Sequence, residues 1–122
     1  MSKKILLVDD SNTVLMMERM ILARCGYNLI TAGDGLEALD KAQSDGPDLI
    51  LMDVIMPRMN GIEAVRKLHE NDSTATIPVI MVTTRSEVEN VEKAFENGCA
   101  EYVTKPINGL ELVSKVRSFL GE

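Results

Sequence analysis

Three stretches of this chain, Ile5-Leu6-Leu7-Val8, Leu49-Ile50-Leu51-Met52 and Val79-Ile80-Met81-Val82, are apolar at every position. A strand with one wet face alternates polar and apolar residues, so these runs read as strands covered on both faces, the condition of a parallel sheet held between two helical layers. Short apolar runs alternate with longer amphipathic segments five times between Lys4 and Leu120. That βα repeat predicts an α/β fold with helices on both faces of a parallel sheet.

The helices announce their ends locally. Asp34-x-x-Glu37, Ser86-x-x-Glu89 and Asn108-x-x-Glu111 each place a capping side chain three residues before a glutamate. Gly26, Gly46 and Gly98 stand where a preceding helix needs a left-handed residue to stop. The spacing predicts inward stripes of Val14, Met17 and Ile21 in the first helix and Leu36, Leu39 and Ala42 in the second. Ile62, Val65 and Leu68 follow in the third, Val88, Val91 and Phe95 in the fourth, and Val113, Val116 and Leu120 in the fifth. The polar stretch from Asn71 to Thr76 reads as a loop before strand four, with Pro78 near that strand's entry. Most of the eight methionines are expected to fill the core.

Where the apolar runs end, polar residues stand: Asp9 and Asp10, Asp53, Thr83, and Lys105 after Tyr102-Val103. In an open parallel sheet all of these converge at one edge, because ligands bind outside the carboxyl ends of the strands. Three carboxylates drawn together repel unless a positive charge sits among them. Mg²⁺ suits that position, with Mn²⁺ as a substitute, since it is hard and takes oxygen from one or two carboxylates, waters and a phosphate. No His or Cys joins the cluster, which disfavours zinc and softer metals. Lys105 and the Thr83 hydroxyl add a point charge and a donor for anionic oxygens. This inventory suits phosphoryl chemistry with a carboxylate nucleophile. Asp53 is the best nucleophile, because it stands alone while Asp9 and Asp10 form a doublet suited to the metal. Taken singly, each residue has a plainer reading: the doublet as a cap for the first helix, Lys105 as a solvated loop lysine.

A chain of 122 residues with 45% hydrophobic content suits one domain over residues 1–122, burying about two-thirds of its unfolded surface. A formal net charge of -6 and a pI near 4.8 argue against direct binding to nucleic acid or an anionic membrane. The N-terminus lacks the apolar core of a signal peptide, and no stretch approaches the roughly 18 apolar residues of a membrane span. A cytoplasmic location is therefore expected. Cys25 and Cys99 belong to no Cys-x-x-Cys and read as small buried thiols. His69, between charged residues, reads as a surface residue of the third helix.

Ile5-Leu6-Leu7-Val8-Asp9-Asp10, Asp34-Gly35-Leu36-Glu37-Ala38-Leu39, Pro47-Asp48-Leu49-Ile50-Leu51-Met52-Asp53, Met56-Pro57-x-Met59-Asn60-Gly61 and the segment from Gly98 to Lys105-Pro106 occur together. In this combination the chain resembles the receiver domain of bacterial two-component response regulators, most closely the stand-alone CheY-like kind. The resemblance implies a flavodoxin-like fold with five strands in order 2-1-3-4-5. It implies phosphoryl transfer to Asp53 from a histidine kinase, a phosphotransfer protein or a small acyl phosphate. Asp10 and Asp53 would contact Mg²⁺ directly, Asp9 would reach it through water, and the Ile55 backbone carbonyl would complete the protein's share. Lys105 would pair with the phosphoryl group, Thr83 would swing toward it, and Tyr102 would turn inward behind Thr83. Pro106 would be cis. A downstream protein would read the change on the face of helix four, strand five and helix five, with the chain a monomer or a phosphorylation-dependent dimer. Ile55 and Arg85 would border the phosphoryl group, and the apolar Ile55 would screen attacking water and lengthen the phosphorylated state.

Other readings weigh less. A metal-dependent phosphatase would need a second catalytic carboxylate and a substrate cap, and no insertion is long enough for one. A flavin-binding domain of this topology would want a phosphate-cradling turn after strand one and ring-flanking aromatics, whereas that turn is acidic and aromatics are 3%. A constitutive interaction module would not need the complete acceptor set. Nothing follows helix five, so output by protein contact is expected, although a longer regulator would be cut at the same boundary.

Overall fold

A computed structural model describes residues 2–84 and 88–121, without the side chain of Val88. The expected Ser86 cap and the placement of Arg85 lie outside the described residues. The strands are β1 (Lys4–Val8), β2 (Asn28–Ala32), β3 (Leu49–Asp53), β4 (Val79–Thr84) and β5 (Glu101–Lys105). They alternate with helices α1 (Asn12–Ala23), α2 (Gly35–Asp45), α3 (Gly61–Glu70), α4 (Val88–Glu96) and α5 (Gly109–Leu120). The strands form one parallel sheet in the order β2-β1-β3-β4-β5, which is the flavodoxin-like arrangement.

The all-apolar runs behave as two-faced strands. Leu6, Val8, Ile50, Met52, Val79 and Met81 pack with residues of α2, α3 and α4, among them Ala38, Ala42, Ala64, Val65, Leu68 and Ala94. Their neighbours Ile5, Leu7, Leu49, Leu51, Ile80 and Val82 pack on the other side with Leu15 and Leu22 of α1 and Leu112, Val116 and Leu120 of α5. The two-residue period of a strand thus sends alternate side chains into two separate cores.

Asp34 and Asn108 cap α2 and α5 as expected, accepting from the amides of Glu37 and Glu111. Asn60 caps α3 in the same way through Glu63, a third such motif that the sequence reading passed over. Gly26, Gly46 and Gly98 all adopt positive φ.

Three helix faces differ from expectation. Helix α1 turns Leu15, Glu18 and Leu22 inward, leaving Val14 and Ile21 half-buried and Met17 exposed. Apolar residues occur around most of that helix, so hydrophobicity does not select a face, and the single acid in the inward stripe disguises it. Helix α2 buries Gly35, Ala38 and Ala42 while Leu36 is exposed, and α4 buries Ala94 while Phe95 is 43% exposed. In both, small residues let the helix approach the sheet closely, which displaces the large ones to the flank. The methionines divide as well: Met52, Met56, Met59 and Met81 are buried, whereas Met16, Met17 and Met20 are exposed along α1. Cys99 is buried, its thiol pushed up to about 11 by that burial, and Cys25 is only partly so. No helix among the described residues is long and apolar enough to cross a membrane.

Candidate functional site

Adjacent strands bring the acidic residues together. Val8 at the end of β1 lies opposite Met52, and Asp53 is the last residue of β3, opposite Val82 of β4. One carboxylate oxygen from each of Asp9, Asp10 and Asp53 falls within 4.8 Å of the others. Asp9 and Asp53 are buried and Asp10 is exposed, so the cluster opens to solvent on one side. Asp53 and Thr83 stand inside the last rungs of their strands, and Lys105 is the final residue of β5, one step earlier than the sequence runs suggested.

The start of α1 is settled by Ser11, whose hydroxyl accepts from the Val14 amide at 3.3 Å. Asp9 instead accepts from the Ser11 amide at 2.8 Å and donates its own amide to the Ala32 carbonyl at 3.1 Å. The doublet is therefore not the helix cap.

Lys105 is no solvated loop lysine. Its ammonium lies 3.4 Å from Asp9 Oδ2 and 3.4 Å from Asp53 Oδ1. Burial works against that charge, but Asp53 and Asp9 outweigh it and raise the Lys105 pKa above its ordinary value. One ammonium does not balance three carboxylates. Burial first, then the charge of Asp9, push Asp53 up to about 6, with Lys105 pulling the other way and Asp10 adding to the rise. A pocket of hard oxygen donors with excess negative charge fits a small divalent cation such as Mg²⁺.

Thr83 is buried on β4 and its hydroxyl donates to the Thr84 carbonyl at 3.3 Å. In the β4–β5 register Thr84 lies opposite Lys105, so the hydroxyl and the ammonium stand on neighbouring rungs. Ile55, two residues beyond Asp53, is 56% exposed. The Lys105–Pro106 peptide bond is cis. Tyr102 is not at the strand end; it lies opposite Met81, partly buried. Its ring meets Phe95 of α4 edge to face, with centroids 6.2 Å apart, and the Lys115 ammonium of α5 sits 5.1 Å from its centre. His69 is exposed on α3, where its ring lies against Gly98.

Gly61 fixes how closely α3 approaches the site. A Cβ there would collide with the Asp53 carbonyl oxygen and come within 2.7 Å of Met81 Cε. The glycine lets α3 begin directly against the backbone of Asp53.

Sequence reasoning missed two groups. Glu18 is 1% exposed, and its Oε1 has no hydrogen-bond partner among the described residues. It lies on the inward stripe of α1 between Leu15 and Leu22, which pack with Ile5, Leu7, Leu49 and Leu51 of the sheet, and it feels the charges of Asp9, Lys105 and Asp53. Burial first, then the charge of Asp9, raise its pKa to about 8, with Lys105 opposing and Asp53 adding to the rise. A lone acid three and four residues from Leu15 and Leu22 is the signal that could have exposed it. The second group is the ion pair between Asp34 and Arg58, 24 residues apart, which no local pattern reveals.

Comparison with known proteins agrees with this geometry. A family model described as the response regulator receiver domain matches residues 5–117. The polar-differentiation response regulator DivK of Brucella anthropi is 35% identical over 100% of this chain and 99% of its own length. The alkaline phosphatase synthesis transcriptional regulatory protein PhoP of Bacillus subtilis is 38% identical over 98% of the chain, but the match spans only 49% of that protein. Among solved structures, the chemotaxis response regulator CheY4 of Vibrio cholerae superposes with a TM-score of 0.90 at 34% identity, covering 98% of this chain and 99% of that one.

Proposed function

This chain belongs to the response regulator receiver family of two-component signalling, and from that premise we propose that it is a phosphorylation switch whose acceptor is Asp53. The observation that carries this reading is the pocket itself, with three carboxylate oxygens within 4.8 Å and Lys105 3.4 Å from two of them.

Receiver domains are signalling domains that bind Mg²⁺ at an acidic pocket, and here Asp10, Asp53 and the Ile55 backbone carbonyl would hold the ion, with Asp9 reaching it through water. When bound, the ion supplies positive charge against the phosphoryl oxygens. An Asp53 carboxylate oxygen attacks the phosphorus of a histidine kinase's phosphohistidine, of a phosphotransfer protein or of a small acyl phosphate. A new O–P bond forms, and the donor's bond to phosphorus breaks with its electron pair remaining on the donor. Lys105 keeps the attacking carboxylate oriented and then pairs with the transferred group. The Thr83 hydroxyl donates to one of its oxygens.

The transferred group adds about -1.5 to -2 charge. Thr83 moving toward it opens space beside β5, and Tyr102 turns inward to fill that space. Support for this relay lies in the contacts of Tyr102, whose ring joins Phe95 of α4 and Lys115 of α5. Moving the ring therefore alters the α4–β5–α5 face, where a downstream protein would read the switch, and where a phosphorylation-dependent dimer would form.

The test is intact mass after incubation with acetyl phosphate, with and without Mg²⁺, beside Asp53→Asn. One phosphoryl group gained only with Mg²⁺ and only in the unmodified protein is the expected result. No gain in any sample removes the support for Asp53 as a self-catalysed acceptor.

A further inference from the structure

The seven-residue segment between Asp53 and α3 exposes Ile55 while its Val54, Met56 and Met59 are buried in the core. Beyond that packing, three contacts bear on its shape. The Gly61 amide donates to the Val54 carbonyl at 2.7 Å, closing the loop at its base. At its far side Met59 abuts Gly35 in the first turn of α2, where a Cβ would lie 2.8 Å from the Met59 carbonyl oxygen. The third contact is ionic: Arg58 donates from Nε to Asp34 Oδ2 at 2.9 Å and from Nη2 to the same oxygen.

Arg58 is the one non-glycine residue with positive φ among the described residues, at 66°. A branched or long side chain in that region is disfavoured and persists only where the surroundings hold it. Asp34 is well placed to do so, because it is itself fixed. Its Oδ1 accepts from the Glu37 amide at 2.9 Å as the cap of α2, and its carboxyl is held below the usual carboxylate range by that bond and by Arg58. One carboxylate thus caps a helix with one oxygen and anchors a distant loop with the other.

We propose that the Asp34–Arg58 pair is a latch that positions the Asp53–α3 loop, and with it the Ile55 backbone carbonyl, for the divalent cation. Arg58 is a positioning residue that never touches the ion. This inference rests on the proposed Mg²⁺ site. The latch lowers the entropy that the loop would otherwise lose when the ion binds, so breaking it weakens binding without removing a ligand.

The test is calorimetric titration of Mg²⁺ into the whole chain and three variants. Arg58→Gly removes the guanidinium while supplying the residue best suited to positive φ, so the fold is preserved. Asp34→Asn keeps an oxygen for the α2 cap and removes the charge. Arg58 is 61% exposed, so each is expected to weaken Mg²⁺ binding about two- to fivefold, and the double variant is expected to be no weaker than either single one. An unchanged Kd in Arg58→Gly overturns the latch, and so do losses that simply add in the double variant. If the unmodified protein itself fails to bind Mg²⁺, the proposed site falls and the latch falls with it. If the unmodified protein binds and the variants match it, the site stands and only the latch fails.

Discussion

Lys105 stands 3.4 Å from Asp53, yet Asp53 remains raised to about 6. The ammonium is divided between two carboxylates and does not cancel the burial of Asp53.

Replacing Lys105 by Met is expected to push the Asp53 pKa higher still, because Lys105 is the group that lowers it. Carbon NMR of the aspartate carboxyls through a pH titration without divalent metal would show this. An unchanged or lower Asp53 midpoint would refute the shared-ammonium account.

Mg²⁺ affinity is expected to fall as pH drops through about 6, since a protonated Asp53 is a poor ligand for the cation. Calorimetric Mg²⁺ titrations from pH 5 to pH 8 would trace the fall. An affinity that stays flat to pH 5 would mean that the carboxylate of the free protein is ionised throughout.

Glu18 makes stability depend on pH. A carboxyl whose folded pKa exceeds its unfolded one costs nothing while protonated in both states, and stability then falls as pH rises between the two values. For Glu18 that window runs from 4.5 to about 8, with a slope of at most about 1.4 kcal/mol per pH unit. Urea unfolding at pH 6.5 and pH 8 should show the decline, and Glu18→Met should flatten it and unfold at higher urea at pH 8. Equal slopes in the two proteins would contradict a buried, proton-holding Glu18.

Gly61→Ala is expected to destabilise the protein by about 1–3 kcal/mol through overpacking, because its Cβ meets the Asp53 carbonyl and Met81 Cε. The same shift should slow phosphoryl uptake. Denaturant midpoints compared with Gly46→Ala, where a Cβ meets no other atom within 4 Å, would separate crowding from backbone strain.

Ile55, more than half exposed beside Asp53, is expected to screen the phosphorylated carboxylate from water. Ile55→Asn should shorten the phosphoryl lifetime followed by mass spectrometry. A longer lifetime in the variant would exclude the screen.

The sheet and the acid pocket were legible because both depend on local regularities: runs of apolar residues and what ends them. Asp9, Asp10, Asp53, Thr83 and Lys105 needed only the premise that parallel strands finish at one edge. Helix faces were less legible, since α1 carries Val14, Leu15, Met16, Met17, Met20, Ile21 and Leu22 around its circumference, and sheet packing rather than hydrophobicity chose among them. Glu18 hid in that choice. The Asp34–Arg58 pair was invisible because ion pairs across 24 residues obey no period.

The register between strands sets a rule for how this chain can vary. Asp53 pairs with Val82 and Thr84 with Lys105, so each polar residue is located by counting rungs from the start of its strand. Slipping a strand by a single residue turns every side chain to the opposite face. An insertion in the polar turn from Asn71 to Thr76 leaves those counts untouched, whereas one residue added between Val79 and Thr83, or between Glu101 and Lys105, would carry the hydroxyl or the ammonium out of the pocket. Length changes should therefore be tolerated in the turns at the base of the sheet and forbidden within its strands, whatever the composition of either.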